Sequence, residues 1–76
     1  MPSPQPPQFR FDANRFEELA ARAGDTTRYA ISRRTGLTQG AISNILTGRR
    51  QPTLNSAMRL TQPYGISLDD LVSVAA

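Results

Sequence analysis

The chain has 76 residues, no cysteine, no histidine and a net charge of +3, with nine arginines as its only bases. That length leaves room for one small domain with a modest, mostly local core. The missing residue types exclude a disulfide framework, thiolate and imidazole metal sites, a cysteine nucleophile and a histidine general base.

No apolar run approaches the length that spans a bilayer, and no basic stretch followed by an apolar one opens the chain. A soluble cytoplasmic protein without membrane contact is expected, with no cofactor, metal, catalytic residue or small-molecule substrate. The one adjacent acid pair, Asp69-Asp70, falls in the first turn of a short helix, where the helix dipole accounts for it. The charges are segregated along the chain. Arg28, Arg33, Arg34, Arg49, Arg50 and Arg59 occupy a stretch without Asp or Glu, while Asp12, Glu17, Glu18 and Asp25 precede it and Asp69 and Asp70 follow. Such a distribution favours a polyanionic partner, although basic surfaces also occur with no partner at all.

Residues 1–9 read as a flexible proline-rich arm, and residues 10–76 as the folded domain. Asp12 can cap a first helix to about Ala23, with Phe16, Leu19, Ala20 and Ala23 as its inward stripe and Gly24 as its stop. A second helix runs to Thr35, capped by Thr26 or Thr27, with Ile31 inward. Gly36 interrupts it and Leu37 re-enters the core. Thr38 caps a third helix, Gln39–Thr47, with Ile42, Ile45 and Leu46 inside; Gly48 ends it before an exposed Arg49-Arg50-Gln51-Pro52 loop. Thr53 caps a fourth helix through Leu54, Ala57, Met58 and Leu60, stopped at Gln62 by Pro63. Ser67 caps a last short helix with Leu68, Leu71 and Val72 on one side. No stretch alternates long enough to suggest a strand.

The second and third helices, joined by the turn at Gly36, have the spacing of a helix-turn-helix. Gly40, Ser43, Asn44 and Thr47 lie opposite the Ile42/Ile45/Leu46 stripe, and Gln39 sits at the helix start. These short, uncharged groups suit the reading of base edges, where Asn and Gln pair with adenine and Ser or Thr bond several bases. An ordinary surface helix is also polar outside, but would carry Lys, Glu or Arg there.

Thr-Gly-Leu-Thr-Gln (Thr35–Gln39), Ile-Ser-Asn (Ile42–Asn44) and Gly-Arg-Arg-Gln-Pro (Gly48–Pro52), followed by Tyr64–Leu71, resemble the Cro/cI-type, or XRE-like, helix-turn-helix repressors from about Phe16 to Val72. The resemblance implies an all-α, compact five-helix, lambda-repressor-like domain with its helix-turn-helix at helices 2 and 3. It implies base reading by Gln39, Gly40, Ser43 and Asn44, and phosphate binding by Thr27, Arg28, Thr38, Thr47, Arg49 and Arg50. The implied function is sequence-specific binding of double-stranded DNA by a regulator, with repression as the expected output. An antitoxin or protein-docking module on the same fold is the alternative.

The chain departs from the family at three positions. Gly40 stands where a base-reading side chain is common. Ser32 replaces a small apolar residue, usually alanine, and its hydroxyl is expected to bond back to a helix carbonyl. Pro63 shortens the fourth helix. Tyr64, Leu68 and Val74 are the exposed apolar candidates, and Leu68, Leu71, Val72 and Val74 are expected to serve both the core and a weak homodimer on DNA.

Overall fold

Each α-helix starts where a side-chain oxygen can accept an amide that the helix itself leaves unpaired. In the computed structural model, α1 (Ala13–Arg22), α2 (Arg28–Thr35), α3 (Gln39–Leu46) and α4 (Leu54–Thr61) follow Asp12, Thr27, Thr38 and Thr53. Those four side chains accept from the amides of Arg15, Ala30, Ala41 and Ser56 at 3.0–3.1 Å. Caps of this kind contribute about 1 kcal/mol each. The structure describes the backbone of residues 8–75 and the side chains of residues 9–73. Most of the expected proline-rich arm, and the side chain of Val74, therefore lie outside the described residues.

A two-stranded antiparallel sheet joins the chain's two ends. β1 (Gln8–Phe11) pairs with β2 (Val72–Ala75), setting Phe9 opposite Val74 and Phe11 opposite Val72. Two expectations are corrected here. The domain, expected to be all-α, is mostly helical but contains this sheet, whose β1 begins at Gln8. The expected fifth helix is a 3₁₀ turn, Leu68–Leu71, whose chain then enters β2, and Ser67 makes no side-chain cap bond. The reason is non-local: Val72 and Ser73 are worth more to the fold paired with β1 than coiled alone, and β-branched Val72 suits a strand. A second 3₁₀ turn, Gln62–Tyr64, follows α4 where Pro63 stops the helix.

Phe16 and Ala20 of α1, Ile31 of α2, Ile42 and Ile45 of α3, Leu60 of α4 and Leu71 form the buried centre. Burying each large side chain of this set is worth roughly 1.5–3 kcal/mol. Phe16 lies between Phe11, at 5.8 Å and tilted, and Tyr64, edge-on at 5.6 Å, so strand, first helix and C-terminal turn meet on one ring. Tyr64 and Leu68 are accordingly half-buried, not exposed. Ala23, Leu54 and Met58 depart the other way, toward solvent. Ala23 is the C-cap beyond the last turn of α1, and Leu54 opens α4 ahead of its inward residues, Ala57 and Leu60.

Candidate nucleic-acid interface

The turn between α2 and α3 sets how α3 is presented. Gly36 caps α2 with φ +77°, a left-handed conformation that side chains resist, and its amide bonds to the Ser32 carbonyl at 2.9 Å. Thr35, buried, donates its hydroxyl to the Ile31 carbonyl at 2.8 Å and accepts from the Leu37 amide at 3.3 Å. Ser32 donates its hydroxyl forward, to the Leu37 carbonyl at 2.5 Å. This corrects the expected bond back to a helix carbonyl. Leu37 leaves the helix at Gly36, so its free carbonyl faces the last turn of α2 and takes the serine as its donor.

Gln39 and Gly40 are exposed in the first turn of α3, and Ser43 and Asn44 are half-buried in its second. Thr38, exposed, accepts the Ala41 amide with its hydroxyl oxygen, so its hydroxyl hydrogen remains available to an outside acceptor; Thr27 has the same arrangement at the start of α2. Thr47 differs. Its hydroxyl donates to the Ser43 carbonyl at 2.7 Å, which commits its hydrogen within the helix.

Beyond α3 the chain turns at Gly48, with φ +80°, and the Arg50 amide returns to the Asn44 carbonyl at 3.1 Å. Asn44 and Arg50 thereby line one depression of about 140 Å³ with Ala41, Thr53 and Ser56, between α3 and the start of α4. At the same end of α3, Leu46 shares a cleft with Thr27 and Arg28. Folding thus sets Thr27 and Arg28 beside Leu46 and Arg50 beside Asn44, while Gln39 and Gly40 remain in the first turn of the helix.

The charge map of the chain is not the charge map of the surface. Arg34 donates through Nε to Asp25 at 2.5 Å, and the Tyr64 hydroxyl donates to the same carboxylate oxygen at 2.6 Å. The Arg34 guanidinium also lies 5.1 Å from the Tyr64 ring centre, within cation–π range. The Arg34 bond, followed by that of Tyr64, holds the Asp25 carboxyl below its usual range. Burial, and then the neighbouring Asp25 carboxylate, push the Tyr64 phenol up; the same carboxylate raises Arg34. Arg34 is therefore balanced within the fold, and Glu17 and Asp25 border the cleft that holds Arg28. No local pattern could show this trio, because Asp25 and Tyr64 come from opposite halves of the chain.

A helix-turn-helix family model matches residues 17–71, a span that runs from the second turn of α1 through α2, α3 and α4 to Leu71. The chain belongs to the XRE-like, Cro/cI-type helix-turn-helix family. XRE-like domains bind DNA as transcription regulators, and this protein is a DNA-binding regulator of that kind. Neither the curated proteins nor the solved structures contain a match. Among the described residues no helix is long and apolar enough to cross a membrane.

Proposed function

We propose that the protein is a sequence-specific transcriptional repressor that lays α3 in the major groove of double-stranded DNA. Gln39, Gly40, Ser43 and Asn44 meet base edges; Thr27, Arg28, Thr38, Arg49 and Arg50 hold the sugar-phosphate backbone, with Thr47 beside them. The observation that carries this reading is the composition of one face. The outer side of α3 bears only short uncharged groups, Arg50 lines a depression with Asn44, and Arg28 shares a cleft with Leu46 at the helix's C-terminal end. Uncharged groups discriminate bases and arginines neutralise phosphates, so the two tasks fall to different residues of one surface. Repression follows from occupancy, since a domain seated in the groove excludes other proteins from it.

Selection of bound duplexes from a random pool, followed by footprinting, identifies the site. Asn44→Ala should then weaken the preferred site by about 5- to 150-fold, the equivalent of 1–3 kcal/mol, and leave scrambled DNA nearly unaffected. Arg50→Ala should weaken both sequences alike and flatten the salt dependence by about 0.9 in logarithmic slope. Because Asn44 and Arg50 are tied through main-chain atoms, neither substitution removes that tie. Equal losses on both sequences for Asn44→Ala would show that α3 does not read the bases.

A further inference from the structure

The outer face of α2 carries two side chains that the fold leaves uncovered. Ile31 and Thr35 point into the core. At about 100° per residue, Tyr29 and Arg33 fall on the opposite side of the helix, one turn apart. Tyr29 is 57% exposed, and Arg33 is exposed beside it. The Arg33 guanidinium lies 5.9 Å from the centre of the Tyr29 ring, and its Nη1 donates to the Tyr29 hydroxyl oxygen at 3.4 Å. That bond occupies the phenol as an acceptor and leaves its hydrogen free, next to the remaining N–H groups of the guanidinium. Asp25 borders the same shallow depression, but its carboxylate is taken by Arg34 and Tyr64. Among the described residues no acid lies within ion-pair distance of Arg33.

We propose that Tyr29 and Arg33 together hold one backbone phosphate of the bound duplex, a contact on the outer face of α2 beyond those at its start. The proposal rests on the DNA-binding reading of the site. Three observations point to a phosphate. The pair offers one hydroxyl and several guanidinium hydrogens side by side, and a phosphate oxygen accepts from both kinds of donor. The guanidinium is already stacked on the ring, so less side-chain freedom is lost when it engages an anion. Finally, Tyr29 shares the first turn of α2 with Arg28, directly after Thr27 and its free hydroxyl hydrogen, so the pair extends that row of donors along the helix. An acidic protein segment would meet the same charge, but it would have no reason to find the pair adjoining Thr27 and Arg28.

The test uses the full chain with Tyr29→Phe and Arg33→Gln. Tyr29→Phe keeps the ring and removes only the hydroxyl, whereas Arg33→Gln removes the charge. Both side chains face solvent, so both variants should fold, and circular dichroism checks that they do. On the duplex obtained by selection and on scrambled DNA alike, each variant should bind about 2- to 10-fold more weakly than the native chain. Salt separates the two roles. Arg33→Gln should flatten the logarithmic salt slope by about 0.9, and Tyr29→Phe should leave it unchanged. Ethylation interference on the selected duplex should reveal one phosphate whose modification weakens the native chain but neither variant. Variants that bind both duplexes like the native chain overturn the proposal and leave the DNA-binding reading standing. A native chain that binds no duplex overturns both. Loss of polyglutamate binding in the variants, with DNA binding unchanged, also overturns it and gives this face to an acidic protein partner.

Discussion

Replacing Ser32 with alanine isolates one bond of the helix-turn-helix. The hydroxyl donates to the Leu37 carbonyl at 2.5 Å in a half-buried setting, across the turn that joins α2 to α3. Alanine fits the same space, and the resemblance implies that it is the usual residue there, so no clash or large cavity complicates the comparison. A typical internal hydrogen bond contributes about 0.5–1.5 kcal/mol, and a carbonyl left without a donor away from water costs about 1–3 kcal/mol. Leu37 is only half-buried, so water can reach part of the vacated site. The expected loss is then about 1–2 kcal/mol, or roughly 4–16 °C in Tm for a domain of this size. Urea unfolding followed by far-ultraviolet circular dichroism measures it, and the slope with denaturant should not change, because the surface exposed on unfolding is the same. A midpoint equal to or above that of the native chain would refute the reasoning, since the serine would then contribute nothing that alanine lacks.

Phe16→Ala removes the ring on which Phe11 and Tyr64 converge; it should cost about 3–5 kcal/mol against a total of about 4–11 kcal/mol expected for this length, and calorimetry should find a severely lowered or missing transition. Gly48→Ala meets no neighbouring atom but forces a side chain into φ +80°, so about 1–2 kcal/mol of stability should be lost through backbone strain alone. Thermal melts of the two proteins decide that point. The Asp25 carboxyl titrates below its ordinary value of 3.8, so its contribution is fully present above about pH 4 and is lost as pH falls through the lower folded value. Asp25→Asn should therefore lower stability at neutral pH and flatten its decline in acid, as chemical denaturation at a series of pH values will show.

The helices were legible because their signals are local. Asp12, Thr27, Thr38 and Thr53 each cap the helix expected of them, and Ile31, Ile42, Ile45 and Leu60 point inward at helical spacing. A cap acts within three residues and a buried stripe within a few turns, so both are visible in a short window of sequence. The same locality made the helix-turn-helix recognisable. Its turn, however, was read with the wrong partner for Ser32, because a hydroxyl three or four residues after a helix carbonyl is the usual arrangement and the approach of Leu37 depends on how the chain leaves Gly36.

The sequence by itself determined a small helical domain of a DNA-binding family, the boundaries of its four α-helices to within a residue or two, and the arginines available to it. Tertiary structure alone decided how those charges are used and how the ends are closed. Asp25 balances Arg34 across the turn into α2, and the fold brings Tyr64, far along the chain, to the same carboxylate oxygen as a second donor. Val72–Ala75 is a strand only because Gln8–Phe11 lies alongside it, and Phe9 overhangs the core only because that pairing holds it there. Strand pairing and ion pairing depend on which distant residues the fold brings within a few ångströms, whereas helix formation depends on neighbours the chain already holds.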